Sequence, residues 1–400
     1  MAQPDFLIIG GGITGLAVAR EIKKRHSNSS IIILEKEADS GSHSSGRNSG
    51  VMHSGIYYKE GSLKAQFCAR GRQLMTDYCK EFQLPIDPMG KVILPTREED
   101  DHLVDMLHKR AQSNGAVSEV VGEGELKKIE PFVRSASGRA LHSPLTSVID
   151  PKAVLSKLRS QLIEQKVEFC FSEKVRMANS EKVISSRNTY SFGHLINCAG
   201  AYADKVAMGF GISNDYTMLP FKGLYYKLNP ASGIKLNGLV YPVPDLNVPF
   251  LGVHTVKAID GNNYFGPTAI PAFGRENYYG ISGIRAGEAG SALWHVFQQY
   301  LRNKQGFRAY AHAEAFRFFK SKFTEAAKQL IPDLKKSHLL KCSKVGIRGQ
   351  LLNTKTHELV MDFLVENAEK STHVLNIVSP GFTSAFSFAE YIADKVEGKK

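Results

Sequence analysis

Apolar residues near the amino terminus form two short runs separated by a segment with helical spacing. Phe6–Ile9 and Ile31–Leu34 are apolar runs of strand length, and residues 13–22 repeat apolar side chains at helical intervals. A glycine-rich turn joins the first run to the helical segment. The pattern predicts a strand, a tight turn, a helix and a second strand.

The same alternation predicts further elements along the chain. The predicted helices cover 62–84, 98–112, 151–165 and 291–334, and the predicted strands cover 90–95, 167–171, 194–201, 218–228, 238–243, 250–254 and 263–266. The run at 194–201 is typical of a central parallel strand, whereas the short runs between 216 and 285, split by Pro, Gly and Asn, favour an antiparallel sheet. Residues 373–393 again predict a strand, a glycine turn and a helix.

Together these elements predict an α/β fold, α+β overall, with two interleaved domains, since 400 residues exceed what one core usually organises. We predict a discontinuous Rossmann-type domain formed by residues 1–85, 150–215 and 345–400. Residues 86–149 and 216–344 are predicted to form a second, antiparallel-sheet domain that covers it.

Three glycines in the first turn complete the pattern G-x-G-x-x-G. Gly10 permits the turn, Gly12 lets a pyrophosphate approach the backbone, and Gly15 lets the helix pack on the strand. Glu35, twenty residues after Gly15, is placed to accept ribose hydroxyls. The spacing predicts a dinucleotide site. The alternative is a tight turn without a ligand.

A glycine- and serine-rich segment, residues 41–58, follows the acidic residue directly. A loop at this point lies across the carboxyl ends of the strands, where ligands of open α/β sheets bind. The alternative is a flexible surface loop, but Val51, Met52 and the Ile56–Tyr57–Tyr58 triplet add apolar bulk that a solvated linker does not need. His53 becomes a candidate for chemistry because of this neighbourhood.

Composition narrows the classes of function. The five cysteines are scattered without a C-x-x-C pair, which disfavours a disulfide framework, a zinc site or a dithiol relay and indicates a reducing compartment. No apolar run approaches bilayer length, and the first strand starts so early that we expect no signal or transit peptide. The net charge of +12 does not require a nucleic-acid partner. One nucleotide motif without a second favours FAD used with a small substrate over a flavoprotein that also binds a nicotinamide.

Several later side chains are candidates for the substrate site. Arg348 lies in an otherwise apolar strand and needs an anion if it is buried, either a structural Asp or a substrate carboxylate. Lys222, Tyr241 and His254 are candidates for the working face of the antiparallel sheet, although each is equally compatible with an exposed base or a packed ring. The helix that starts near Gly381 can direct its positive end at a cofactor.

Residues 285–344 are strongly basic and carry interleaved aromatics. Twelve Lys and Arg stand against four Asp and Glu, and Phe316, Phe318, Phe319 and Phe323 alternate with basic residues. Such a segment can lie on an anionic membrane. The favoured alternative is a solvated helix whose aromatics face the core.

The chain resembles the L-2-hydroxyglutarate dehydrogenase/oxidase family, within the D-amino-acid-oxidase-like FAD-dependent oxidoreductases. The resemblance rests on the glycine motif and on residues 44–58, 219–225, 240–244, 250–254, 346–348 and 379–384. It implies oxidation of (S)-2-hydroxyglutarate to 2-oxoglutarate on tightly bound FAD. Gly349 departs from the pattern of the amine-oxidase branch, and 285–344 match poorly, which leaves the electron acceptor, oxygen or a quinone, and any membrane contact open.

We therefore assign expected roles to named residues. His53 is the expected base, and Arg348 the expected carboxylate anchor, with Lys222, Tyr57, Tyr241 and His254 as weaker candidates. The expected cofactor residues are Gly10, Gly12, Ile13, Thr14, Gly15, Glu35, Lys36, Ser44, Arg47, Asn48, Ser49, Gly50, Val175, Ala199, Gly200, Pro380, Gly381, Phe382 and Thr383. No metal is expected, and the expected location is cytoplasmic, with peripheral membrane contact left open. The alternatives are an amine oxidase of the glycine or sarcosine type and a membrane-held flavin electron-relay protein.

Overall fold

The computed structural model describes residues 3–399 as an alternation of helices and strands. The helices are α1 (Ile13–Arg25), α2 (Leu63–Glu81), α3 (His102–Ser113), α4 (Glu123–Ile129), α5 (Pro151–Glu164), α6 (Ala203–Met208), α7 (Ala286–Arg302), α8 (Phe307–Ala315), α9 (Lys320–Lys328) and α10 (Ala385–Val396). The strands are β1 (Phe6–Ile9), β2 (Ile31–Leu34), β3 (Val51–Met52), β4 (Ile86–Asp87), β5 (Lys91–Leu94), β6 (Glu119–Gly122), β7 (Arg139–Ser143), β8 (Ser147–Ile149), β9 (Glu168–Cys170), β10 (Val175–Ala178), β11 (Val183–Ser185), β12 (Thr189–Tyr190), β13 (His194–Asn197), β14 (Tyr216–Leu228), β15 (Leu239–Pro242), β16 (His254–Lys257), β17 (Asn263–Gly266), β18 (Ile270–Pro271), β19 (Leu339–Asn353), β20 (Glu358–Leu359), β21 (Leu364–Ala368) and β22 (Ser371–Asn376).

A six-stranded sheet organises the first domain, with strand order β21-β22-β13-β1-β2-β9. Strand β1 lies between β2 and β13 and pairs with both in parallel, while only the edge strand β21 is antiparallel. Strands β1, β2 and β13 are almost entirely buried, as their apolar composition requires. Helices α1 and α10 pack against each other beside this sheet. The predicted Rossmann-type α/β fold is confirmed.

A long antiparallel pair forms the spine of the second domain. Strand β14 pairs with β19 from end to end, and the sheet has the order β16-β17-β14-β19-β20, with β18 added on β14. The domain boundary predicted at residue 345 falls inside β19. Because that strand stays paired with β14 as far as Asn353, we propose that the second domain extends to this residue.

Three expectations about this region need correction. The run at 238–243 does not join the antiparallel sheet: β15 pairs in parallel with β5 in a separate sheet of order β15-β5-β7-β6. The run at 250–254 is a loop that becomes a strand only at His254. The helix expected over 291–334 is three helices, because Asn303 (φ 49°) and Gln305 (φ 55°) adopt left-handed backbone and Phe319 is extended.

The aromatic residues of the basic segment divide between two environments. Phe323 is fully buried in a core cluster, whereas Phe316, Phe318 and Phe319 are 59%, 60% and 59% exposed. The expectation that these rings face the core is therefore correct for Phe323 and wrong for the other three. Across residues 3–399, no helix is both long enough and apolar enough to span a bilayer.

Candidate active site

A cavity of about 740 Å³ extends from the glycine turn of the first domain to the sheet of the second. It is lined by the expected base, His53, and by three of the expected substrate anchors: Tyr241, His254 and Arg348. The expected cofactor residues that line it are Gly10, Gly12, Ile13, Thr14, Glu35, Lys36, Ser44, Arg47, Asn48, Ser49, Val175, Ala199, Gly200, Pro380, Gly381, Phe382 and Thr383. Gly15, Gly50, Tyr57 and Lys222 lie outside this lining.

The glycine turn has the shape that a pyrophosphate needs. Gly10 has φ 108°, and a Cβ there would lie 2.4 Å from the Cys198 carbonyl oxygen. Helix α1 starts after Gly12 without a side-chain cap from that residue; the Ile13 amide donates to Ser45 Oγ, and the other amides of the first turn stay available to an anion. Gly15 allows helix α1 to pack closely on the glycine turn, because a Cβ there would lie 2.1 Å from the Gly10 carbonyl oxygen.

Glu35 follows β2 directly and lies beside this turn, as the spacing predicted. Its carboxylate accepts hydrogen bonds from the amides of Gly11, at 2.8 Å, and Glu37, at 2.9 Å. These bonds fix the carboxylate at the cavity wall while leaving further lone pairs for ribose hydroxyls. The donor and acceptor chemistry of the turn therefore fits a dinucleotide.

Lys36, which was expected to contact the cofactor, lies in a network of ion pairs with neighbouring side chains. Glu37, His43 and Glu276 bring three donor atoms close enough together for a metal ion. The Lys36 ammonium, however, lies 2.6 Å from His43 Nε2 and 2.7 Å from a Glu276 oxygen. An ammonium at this point neutralises the carboxylates, so the cluster links the cofactor loop to the second domain.

The loop after Glu35 is held by its own side chains and by β19. Asn48 donates to the Ser45 carbonyl at 2.6 Å and accepts from the Gly50 amide at 2.8 Å. Ser44 Oγ donates to the Ile347 carbonyl at 3.0 Å, and Ser45 Oγ accepts from the Ile13 amide at 3.0 Å. The loop thus joins the glycine turn to the strand that carries Arg348.

His53 follows β3 and lines the cavity with a neutral ring. Its amide donates to Thr383 Oγ1 at 3.1 Å, and its Nε2 lies 3.2 Å from Ser379 Oγ. Burial, reinforced by the charges of Lys91, His254, Arg348 and Lys64, lowers the pKa of His53 to about 3. Within residues 3–399, its buried Nδ1 has no hydrogen-bond partner. A neutral imidazole is the form that can accept a proton.

Arg348 lines the same cavity from β19. Its guanidinium donates to the Pro249 carbonyl and lies 5.5 Å from the centroid of the Phe250 ring. Burial lowers its pKa. In the described part of the chain, no Asp or Glu lies within salt-bridge distance of Arg348. Its cationic donors are therefore open to an anion from outside the chain.

Of the weaker candidates, the aromatic residues lie in or behind the cavity wall, whereas Lys222 lies outside the lining. Tyr241 and His254 stack with ring centroids 3.9 Å apart, and burial lowers the pKa of His254 to about 3. Tyr57 is buried behind the lining, and its hydroxyl lacks a hydrogen-bond partner within 3–399. Lys222 donates to Asn277 Oδ1 at 2.8 Å, outside the cavity lining, so the expectation that it faces the site is corrected.

The structure adds residues that the sequence did not single out. Ser45, Tyr225, Tyr310 and Ser379 line the cavity, and Lys91 is buried beside His53, Tyr57 and Tyr241. Ser379 could have been predicted as a site residue, because it belongs to the motif of residues 379–384. For Lys91, the signal was period-two alternation, which places it on the same strand face as buried Ile93.

Comparisons with known proteins agree with this geometry. The family model described as FAD dependent oxidoreductase matches residues 5–395. The chain is 38% identical over 400 residues to L-2-hydroxyglutarate dehydrogenase of Indibacter alkaliphilus, covering 97% of each chain. It is 31% identical over 402 residues to the Escherichia coli K12 protein of the same name, covering 98% of this chain and 93% of that one. The structure of L-alpha-glycerophosphate oxidase from Mycoplasma pneumoniae superposes with a TM-score of 0.79 at 22% identity, over 99% of this chain and 95% of the other.

Proposed function

Because the chain belongs to the L-2-hydroxyglutarate dehydrogenase family of FAD-dependent oxidoreductases, we propose that it oxidises (S)-2-hydroxyglutarate to 2-oxoglutarate. One observation supports this above the others: neutral His53 and carboxylate-free Arg348 line the same cavity as the glycine turn. A hydroxy acid needs a base for its hydroxyl and a cation for its carboxylate, and these two residues supply both.

The cofactor of this enzyme is FAD, and the glycine turn fits its pyrophosphate. We propose that the amides at the start of α1 hold the phosphates, that Glu35 holds the ribose, and that the turn containing Gly381 adjoins the flavin ring. When bound, FAD supplies a two-electron acceptor for the hydride that leaves Cα.

His53 takes the hydroxyl proton in this proposal. Its low pKa in the ligand-free protein arises from burial and from four nearby basic groups. A substrate that carries negative charge into the cavity offsets those positive charges and raises the basicity of the imidazole at the moment it is needed. The contact between Nε2 and Ser379 Oγ, with the amide bond to Thr383 Oγ1, keeps the ring in place.

Arg348 positions the substrate in this proposal. Its planar guanidinium can hold the carboxylate next to Cα through two parallel hydrogen bonds. Its bond to the Pro249 carbonyl and its contact with Phe250 limit the guanidinium to one orientation. Proton acceptor and carboxylate anchor are thereby fixed relative to each other before substrate arrives.

An anaerobic titration of the flavin tests the proposal. L-2-Hydroxyglutarate should bleach the oxidised flavin of the holoenzyme, whereas D-2-hydroxyglutarate, malate, lactate, glycerol 3-phosphate and glycine should bleach it far more slowly. Bleaching by glycine in preference to the hydroxy acid would support the amine-oxidase alternative. The absence of any bleaching by L-2-hydroxyglutarate would refute the proposal.

We propose that the reduced enzyme passes its electrons on at a membrane surface. Helix α7 exposes Leu293, Trp294, Phe297 and Leu301, each between 51% and 58% exposed, on one helical face. The three exposed phenylalanines of residues 316–319 and the basic side chains around them suit an anionic lipid surface and a quinone acceptor.

Vesicle cosedimentation tests the membrane contact. The holoenzyme should bind vesicles containing anionic phospholipid, and Lys320→Glu with Lys322→Glu should release it. Lys59→Glu with Lys109→Glu, which alters two exposed lysines elsewhere, is the matched control. Equal binding by both double variants would contradict a contact through Lys320 and Lys322, and no binding by the native holoenzyme would refute the membrane proposal and favour oxygen as the acceptor.

A further inference from the structure

Lys91 is a buried lysine without an anionic partner. It starts β5, a strand paired on both sides, and is 2% exposed. Its ammonium lies 4.7 Å from the centroid of the Tyr57 ring and 5.2 Å from that of Tyr241. No salt bridge or side-chain hydrogen bond of Lys91 occurs in the region 3–399.

The positive charge of Lys91 acts on two histidines of the candidate active site. It lowers the pKa of both His53 and His254, two imidazoles that line the cavity. Tyr241, whose ring the ammonium faces, lines that cavity as well. Lys91 therefore lies directly behind the Tyr241 wall of the site.

A second buried lysine, Lys64, differs from Lys91 because a carboxylate lies near it. Lys64 is 7% exposed, and burial together with the charge of Arg348 lowers its pKa to about 7, but the nearby carboxylate of Asp362 acts in the opposite direction. For Lys91, burial is the main influence and lowers the pKa to about 7, with only the weakly acidic Cys68 acting in the opposite direction. The positive charge on Lys91 is therefore left without a carboxylate.

Such an arrangement is costly unless an anion compensates for it. The faces of two tyrosine rings attract a cation but replace little of its lost hydration. A Met or Leu would fill the same space in the central strand without that cost. The neighbouring cavity is where a compensating anion can bind.

We propose that Lys91 makes this site specific for substrates with two carboxylates, by stabilising the carboxylate that Arg348 does not hold. The inference rests on the proposed function. Arg348 accounts for one negative charge, and a five-carbon dicarboxylate brings a second one toward the Tyr241 wall. Lys91 acts on it through that wall and is a specificity-determining residue without a role in proton transfer.

The test compares a dicarboxylate with a monocarboxylate of matched length. Reduction of the flavin in the holoenzyme is measured with L-2-hydroxyglutarate and with L-2-hydroxyvalerate, for the native protein and for Lys91→Met. We expect the ratio of kcat/KM for the two substrates to fall at least about tenfold in Lys91→Met, through KM for the dicarboxylate, because a unit charge in a poorly solvated site is lost. Lys109→Met, an exposed lysine on α3, should leave the ratio unchanged.

Equal losses with both substrates would overturn the inference, because they would show that Lys91 supports the fold alone. An unchanged ratio would overturn it as well. Binding of glutarate and pentanoate to the oxidised native holoenzyme, followed by the flavin spectrum, gives a result even if Lys91→Met does not fold. Glutarate should bind at least about tenfold more tightly, and equal affinities would refute the inference.

The two hypotheses can fail separately. If L-2-hydroxyglutarate does not reduce the native flavin, the proposed function fails, while preferential glutarate binding still supports the role of Lys91. If the native flavin is reduced but Lys91→Met keeps the native substrate ratio, the proposed function stands and the role of Lys91 is refuted.

Discussion

Replacing Arg348 with Met should remove most of the activity while leaving the folded protein nearly as stable as before. The side chain is half-buried, its one polar partner in the described chain is the Pro249 carbonyl, and partial burial lowers its pKa. The unpaired guanidinium therefore destabilises the ligand-free protein, and we infer that its role is to bind a ligand. Activity and stability should respond differently to its removal.

The expected loss of activity follows from the charge that is left unpaired. Truncating one partner of a buried, hydrogen-bonded charge pair costs about 2–5 kcal/mol. Without Arg348, the substrate carboxylate would enter the cavity without its strongest donor. That free energy corresponds to a fall in kcat/KM of roughly 30-fold to several thousand-fold.

The expected effect on stability is small because opposing contributions nearly cancel. The Pro249 carbonyl loses a donor, worth about 1 kcal/mol, and the Phe250 ring loses a cation contact of similar size. Removing a guanidinium that burial has desolvated returns free energy of at least the same magnitude. The free energy of unfolding should change by no more than about 2 kcal/mol.

Anaerobic stopped-flow reduction and urea unfolding of the holoenzyme measure the two quantities on the same preparations. Arg348→Lys keeps the charge but not the planar donor pair, so its activity should lie between native and Arg348→Met. The reasoning is refuted if Arg348→Met keeps kcat/KM within threefold of native. It is equally refuted if the variant loses the 3–5 kcal/mol typical of a broken buried ion pair.

Four further outcomes are expected. His53→Gln should lower kcat by about 10²–10⁴-fold in stopped-flow reduction while the FAD-to-protein ratio stays native; an unchanged kcat would exclude His53 as the base. Gly15→Ala should lose FAD during gel filtration, because a Cβ there lies 2.1 Å from the Gly10 carbonyl oxygen; full retention would contradict this. Arg275→Met should cost about 3–5 kcal/mol in urea unfolding, because it strands the buried Asp204 carboxylate; the exposed variant Arg97→Met should cost less than about 1 kcal/mol. Stability should fall as pH drops below 6.5, because buried His254 and His373 have folded pKa values of about 3 and about 4 against 6.5 when unfolded, so the unfolded state takes up protons first. Each contributes up to about 1.4 kcal/mol per pH unit down to pH 4, and a flat profile of urea midpoints would contradict this.

The first domain was predictable because its signals are local. The glycine turn, the acid at Glu35 and the Asp150–Pro151 helix start each depend on residues close together in sequence. The Asp150 side chain accepts from the Lys152 amide at 2.8 Å, as a helix cap does. Apolar runs that are buried on both faces have few alternatives to a central parallel strand.

The second domain was less predictable because its signals depend on pairing across long distances. Strand β15 has the same alternation as an antiparallel strand, and only the position of β5, nearly 150 residues earlier, makes it parallel. Lys222 likewise has a suitable sequence neighbourhood, but Asn277, 55 residues away, takes its ammonium. The break after Arg302, by contrast, had a local signal, since Asn303 and Gly306 are residue types that favour the left-handed backbone found there.

The site's geometry depends on contacts between the cofactor loop and strand β19. Ser44 Oγ donates to the Ile347 carbonyl, one residue before Arg348, and a Cβ at Gly346 would lie 2.9 Å from the Arg47 carbonyl oxygen. The loop that lines the cofactor end of the cavity therefore packs directly on the strand that carries the carboxylate anchor. His53 follows the same loop, directly after β3. The positions of both His53 and Arg348 therefore depend on a segment that also lines the cavity beside the glycine turn.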